Sequence, residues 1–326
     1  MALLNYGQAI RSGFEYLLTN HQDVFVMGQG LWSPWYVGNS MTDLDKQFGS
    51  ERIIDTPVSE SACTGAALGA SLTGMRPIMV HPRMDFMLYG LDSIVNQASK
   101  WSSMFGGQAR AAITIRSIIN RGGEQGAQHS QALHSWFAHI PGLRVVMPYS
   151  VRDARDLLIS SVLCNDPVIF IDDRWLYEEA DELGDVDIID LSDQRPKAIH
   201  HGNDVTIVGA GFSTKLALDA AREAANFGVS CDVFDMRVLN PFYVDEIASS
   251  VEKTGRLLVI DGSWSSCGFS SEVIASVIQS IDLSRLKVKP QKITLPDAPA
   301  PTPSILEASY YPSKEDVISA IRSLIA

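Results

Sequence analysis

Glu60 is the side chain here best placed for acid–base work. It follows the apolar run Ile53-Ile54-Asp55 and opens the segment Ser61-Ala62-Cys63-Thr64-Gly65-Ala66-Ala67-Leu68-Gly69-Ala70-Ser71-Leu72, built almost wholly of small residues. Ser59 suits a helix N-cap, and a carboxylate in the first turn suits the helix dipole. A helix with so little side chain is either crowded by another backbone or lies against a ligand. A carboxyl group at the start of a closely packed helix is partly desolvated, which raises its pKa. Such a group can hydrogen-bond to a heterocycle or exchange a proton with it. The competing reading, a plain helix-start carboxylate, is the commoner one out of context.

A second polar cluster is Asn120-Arg121-Gly122-Gly123-Glu124-Gln125-Gly126-Ala127-Gln128-His129-Ser130-Gln131. It follows a buried strand, and loops at the carboxyl ends of parallel strands are where α/β proteins place ligands. The run from Gln128 to Gln131 is expected to open a helix. His129 sits among amides and hydroxyls, which favours a polar site, although a lone loop histidine is more often structural. Phe86, next to Asp85, reads either as a core aromatic or as a ring that stacks on a flat heterocycle. Val208-Gly209-Ala210-Gly211-Phe212-Ser213-Thr214 lacks the third glycine of a dinucleotide fingerprint, so a tight strand-to-helix turn is preferred. His134 and His139 do not share a helix face, which argues against a metal cage.

These residues need a frame. Strand-like runs alternate with helix-like segments, the mark of parallel α/β sheets. The spacing predicts strands at Val24–Gly28, Pro77–Val80, Ala111–Ile115 and Pro167–Ile171, and one helix from about Asp85 to Met104. The expected organisation is a first α/β domain over 1–174, an acidic linker over 175–203 and a second α/β domain over 204–326. The 326 residues carry 26 basic and 38 acidic side chains, a formal charge of −12. No basic cluster stands out, which argues against nucleic acid. Cys63, Cys164, Cys231 and Cys267 are too far apart for a zinc pattern and read as reduced thiols. The start Met1-Ala2-Leu3-Leu4-Asn5-Tyr6 has no signal-peptide pattern, and no apolar run is long enough to span a membrane. A cytoplasmic protein is expected.

Together the stretches resemble the β subunit of the thiamine-diphosphate-dependent first component of 2-oxoacid dehydrogenase complexes, of the pyruvate, branched-chain and acetoin type. The likeness is nearly end to end. It is carried by Arg52 to Glu60, Gly74-Met75-Arg76-Pro77-Ile78, Asp85-Phe86, and Asp92 to Ala98. It continues through Ala127 to Gln131, Pro141 to Val146, Asn165 to Val168, Asp235-Met236-Arg237, and Pro303 to Ala308. The resemblance implies a transketolase-like fold: a pyrimidine-binding domain, then a transketolase C-terminal domain, each a doubly wound, mostly parallel sheet. It implies that Glu60 touches the aminopyrimidine ring nitrogen of thiamine diphosphate and drives the imino tautomer. The thiazolium carbon is thereby deprotonated and adds to a 2-oxo carbon, and carbon dioxide leaves. Phe86 would pack on the aminopyrimidine, and His129 would face substrate and acceptor. A potassium site is implied through Ile113, Ser161, Val162, Cys164 and Asp166, with Cys164 where an acid is usual.

Other positions depart from the family pattern. Gly28-Gln29-Gly30-Leu31-Trp32-Ser33-Pro34-Trp35-Tyr36 lacks both usual acids, Val80 replaces a glutamate, and the expected Arg-Gly-Pro is Arg116-Ser117-Ile118. These departures are expected near the mouth of the site. The magnesium motif is also absent; Asp261-Gly262-Ser263 is the nearest approach to it. Half of the cofactor site, with magnesium and diphosphate, should therefore come from an α subunit, in the pattern of two α and two β chains. The leading expectation is decarboxylation of a 2-oxoacid and acyl transfer to a lipoyl group on an acyltransferase. The alternatives are a transketolase-like or acyloin-forming enzyme with an aldehyde or sugar acceptor, and a non-catalytic scaffold.

Overall fold

The computed structural model describes residues 2–326, and the chain separates into two units. The first contains residues up to Arg121, Gln128–Asp193 and Leu239–Pro241. The second contains Gly122–Ala127, Gln194–Val238 and Phe242–Ala326.

In chain order the strands are β1 (Ala2–Asn5), β2 (Val24–Gly28), β3 (Ile53–Asp55), β4 (Arg76–His81), β5 (Thr114–Ile119), β6 (Arg144–Val146) and β7 (Val168–Asp173). They continue as β8 (Ala180–Leu183), β9 (Lys197–His200), β10 (Val205–Gly209), β11 (Cys231–Asp235), β12 (Val238–Asn240), β13 (Leu257–Trp264) and β14 (Gln291–Leu295). The first unit is built on the sheet β12-β6-β7-β5-β4-β2-β3, whose pairs from β3 through to β6 are parallel. Its middle strands β5 and β7 are buried along their whole length, as expected of a sheet covered on both faces. The second unit has the sheet β14-β13-β10-β11-β9, parallel except for β9 at its edge. Its core packs Val205, Ile207, Val233 and Leu258 against Ala217, Ala221, Val317 and Ile321.

Several elements differ from the sequence expectation, each for a physical reason. The strand expected over Ala111–Ile115 lies instead at Thr114–Ile119 and runs straight through Arg116. Hydropathy stops at an arginine, but this one is fully buried and paired with Asp172 on β7. The single helix expected over 85–104 is a composite of an α-turn at Met84–Met87, a 3-10 turn at Leu88–Gly90, a π-helical stretch at Asp92–Ala98 and a helix at Ser99–Met104. The apolar spacing does not separate these, because their tight and wide turns average out. Gln128 to Gln131 opens no helix; the next one is His134–Ala138. The amides there are taken elsewhere: Gln131 N donates to Asp85 Oδ1 at 3.2 Å and Leu133 N to Met84 Sδ at 3.1 Å. The acidic stretch read as a linker contains β8, which pairs with β1, and β9, which pairs with β11. The turn after β10 is tight, as preferred: Gly211 has φ 54° and Thr214 Oγ1 donates to Asp235 at 3.0 Å.

Candidate active site

Within the first unit the carboxyl ends of β2, β3 and β4 open into one pocket, lined by Gln29, Thr56, Glu60, His81, Arg83 and Phe86, with Tyr36, Met79, Val80 and Pro82 as further wall. That is the edge of a parallel sheet where ligands bind in α/β folds. Backbone fit explains part of the layout. A Cβ on Gly28 would collide with the Val80 carbonyl, so the two strands approach closely only with glycine there. Asp55 at the end of β3 accepts from Gly30 N at 2.6 Å and Leu31 N at 3.3 Å, which pins the altered loop. Trp32 Nε1 donates to Ile53 O at 2.8 Å from the same loop.

Glu60 begins the helix Glu60–Ser71 and is half-buried. Ser59 occupies the N-cap position but makes no side-chain cap bond. The first turn is held from the other side: Thr64 Oγ1 donates to Glu60 O at 2.7 Å. Thr64 Oγ1 also lies 3.3 Å from His81 Nε2. The hydroxyl proton is spent on Glu60 O, so the ring nitrogen donates and His81 is the Nε2–H tautomer. Burial pushes the His81 pKa down to about 4, so the imidazole is neutral.

The structure brings Phe86 onto the wall shared with Glu60. His129 meets the Phe86 ring edge-on, with centroids 5.2 Å apart. Asp85 ties that loop down: its Oδ1 accepts from Gln131 Nε2 at 2.9 Å as well as from the Gln131 amide. Burial raises the Asp85 pKa, and the Gln131 bonds oppose the shift. Glu60 and Phe86 thus share the pocket, and His129 touches it through Phe86. A flat ring with one hydrogen-bonding edge matches this mixture of a carboxyl group, an aromatic face and the apolar wall of Met79, Val80 and Pro82.

Gln29, Tyr36 and Val80 line the pocket, as departures near a mouth should. Arg116-Ser117-Ile118 is different. Those residues are buried in β5, and Arg116 bonds Asp172 at 2.9 Å, Ser40 Oγ at 2.9 Å and Tyr177 OH at 2.8 Å. That departure belongs to the core and not to the mouth. Sequence reasoning missed His81 and Arg83. The available signal was polar residues in the turn immediately after an apolar strand.

The positions implied for potassium cluster at the end of the helix Val151–Leu163 and the loop after it, with Ile113 preceding β5. Arg76 Nη1 donates to the carbonyls of Val162 and Cys164, both at 3.0 Å. The Asp166 carboxylate is held by Arg144 at 2.6 Å and Arg110 at 3.2 Å. In the second unit, Asp261 accepts from the amides of Ser263 at 3.1 Å and Ser270 at 2.9 Å. Among the described residues, no helix is long and apolar enough to cross a membrane.

The comparisons with known proteins agree on the family. The transketolase pyrimidine-binding domain matches residues 3–179 and the transketolase C-terminal domain residues 196–317. The chain is 34% identical over 317 residues to the pyruvate dehydrogenase E1 component subunit beta of Rickettsia bellii (strain RML369-C), covering 97% of each chain. It is 32% identical over 336 residues to the acetoin:2,6-dichlorophenolindophenol oxidoreductase subunit beta of Bacillus subtilis (strain 168), covering 99% of this chain and 97% of that one. A solved structure titled split gene transketolase, inactive beta4 tetramer, superposes with a TM-score of 0.77 at 21% identity, over 99% of this chain and 98% of that one. At that identity it speaks for the fold alone.

Proposed function

This chain belongs to the family of β subunits of thiamine-diphosphate-dependent 2-oxoacid dehydrogenases, and from that premise we propose that Glu60, Phe86 and His129 are its working residues. The observation that carries the reading is the placement of Glu60 and Phe86 on one pocket at the carboxyl edge of the parallel sheet. When bound, thiamine diphosphate supplies a carbon nucleophile and takes up the electron pair that decarboxylation leaves behind. Glu60 holds a proton at the ring nitrogen of the pyrimidine. Phe86 packs on the ring and keeps water from it. His129, set against the Phe86 edge, faces the substrate and the acyl acceptor.

The magnesium and diphosphate ligands are assigned to an α chain, with two of each chain in the assembly. Engagement of the Asp261 carboxylate by two backbone amides supports this, since it leaves that acid poorly placed for a metal. Potassium fits less well. The Arg76 guanidinium already lies on two of the carbonyls, and a second cation beside it would be repelled. No step of this reading runs through that ion. A lipoyl group on an acyltransferase is the proposed acceptor. An aldehyde or sugar acceptor is the second reading, favoured by the neutral Gln29, whose Nε2 donates to Tyr36 OH at 3.1 Å at the pocket wall.

The test is Glu60→Gln in the complex co-expressed with its α chain. The amide cannot exchange the proton, so decarboxylation should fall by roughly 10²–10⁴-fold with the fold and assembly intact. Near-normal decarboxylation would overturn the assignment. Acylation of a purified lipoyl domain by the same complex separates the two acceptor readings.

A further inference from the structure

Glu60 lines the pocket, and among the described residues no hydrogen bond or ion pair holds its carboxyl group. The aim of that group therefore depends on where the backbone puts Cα and Cβ. Ser59 contributes no cap bond there. Among the described residues, the side chain that grips Glu60 is Thr64, whose Oγ1 donates to the Glu60 carbonyl at 2.7 Å. Thr64 has little freedom of its own. It is 1% exposed, and a Cβ on Gly90, in the 3-10 turn Leu88–Gly90, would come within 2.8 Å of its Oγ1 and 3.2 Å of its Cγ2. That approach is closed by backbone. His81, also 1% exposed, supplies a second contact, with Nε2 at 3.3 Å from Thr64 Oγ1.

A threonine hydroxyl has one proton on a free rotor. When His81 Nε2–H donates to the Thr64 oxygen, the hydroxyl proton is left to point at the Glu60 carbonyl, and the two bonds polarise each other. This needs a neutral imidazole protonated on Nε2, and burial keeps His81 neutral. His81 ends β4, and Phe86 follows in the same segment. The aromatic wall and the carboxyl group are thereby referred to one piece of backbone. Precision of this kind matters, because a reacting group about 1 Å out of place can lose roughly a hundredfold in rate. We propose that His81 is a positioning residue: through Thr64, its Nε2–H fixes the backbone at Glu60 and so aims the carboxyl group at the pyrimidine nitrogen. This inference rests on the reading of Glu60 given above.

The test uses the full α–β complex with thiamine diphosphate and magnesium. It reads the exchange of the thiazolium carbon proton for deuterium, and cofactor affinity by calorimetry. Thr64→Val keeps the side-chain shape and loses the hydroxyl; His81→Phe keeps a ring and loses the donor. Each should slow the exchange roughly 3- to 10-fold, the worth of one neutral hydrogen bond, with cofactor affinity changed less than the rate. The double variant should be no slower than the slower single one, because both residues act on one chain of bonds. His81→Gln, whose amide can donate in place of Nε2–H, should recover part of the rate. Without cofactor, amide hydrogen exchange over residues 59–66 should quicken in Thr64→Val and in His81→Phe, and less in His81→Gln. Light scattering checks assembly, and Thr64→Val carries the test if His81→Phe does not assemble. Thiazolium exchange at the wild-type rate in either single variant overturns the proposal. So do losses that multiply in the double variant, since His81 would then act apart from Thr64. Glu60→Gln is the control: exchange at the wild-type rate there overturns the Glu60 reading instead.

Discussion

Arg116 and Arg174 lie in the same unit and have their hydrogen-bonding needs met in opposite ways. Arg116 has no exposed surface, and it is met by a carboxylate with no exposed surface either. Ser40 and Tyr177 complete the ring of partners, the Tyr177 hydroxyl also binds Asp172, and the guanidinium lies over the Phe14 ring. Burial alone would lower its pKa, and Asp172 more than offsets that. Arg174, partly exposed, is held instead by the Asn120 amide oxygen and the carbonyls of Trp35 and Tyr36, groups that orient a cation without cancelling it. A cation matched by its own carboxylate serves the fold. A cation oriented by carbonyl oxygens ties loop backbone together instead.

The contrast is broken or sharpened most strongly at Asp172. Asp172→Ala leaves Arg116 buried without its counter-charge and should cost about 3–5 kcal/mol of stability. Urea unfolding of the variant checks this. A loss below about 1 kcal/mol would mean that the buried ring is not what holds β5 to β7.

His81 gives the next largest effect, and it depends on pH. Its folded pKa of about 4 lies below the ordinary 6.5, so the unfolded chain binds the proton first as pH falls. Stability from this group is intact above about pH 6.5, is lost as pH falls toward about 4, and changes no further below that. The shift corresponds to roughly 3 kcal/mol across the window. His81→Phe should remove that part of the acid sensitivity. The difference between wild-type and variant unfolding free energies, measured from pH 7 to pH 4, reads it free of the carboxylates. A difference that stays constant over this range would show that the imidazole is not held neutral.

The smallest effect is expected at Arg174. Arg174→Met removes bonds to Trp35, Tyr36 and Asn120 on a partly exposed side chain and should cost only about 1 kcal/mol in a thermal melt. A loss of several kcal/mol would place Arg174 with Arg116.

Much of the site could be read from residue type and position. Glu60 stood out through the small-residue helix behind it, and Phe86 and His129 through the loops that follow strands. What could not be read was three-dimensional pairing. Arg116 looked like the end of a strand because its partner Asp172 is 56 residues away on a neighbouring strand. Gln128 to Gln131 looked like a helix start because the competing acceptor, Asp85, lies 46 residues back. Ser59 had the right chemistry for a cap, but Thr64 and His81 do the holding from inside the turn. The strand order and the carboxyl-edge pocket follow from the alternating pattern, because parallel strands must be covered on both faces and leave their ends open.

The helix Glu60–Ser71 shows Ala62, Ala66 and Gly69 to solvent in the single chain. A Cβ added at Gly69 would meet nothing within 4 Å. Methyl groups and hydrogens expose little greasy area, so such a surface has weak affinity for itself. A surface of this kind combines room for close backbone approach with low stickiness.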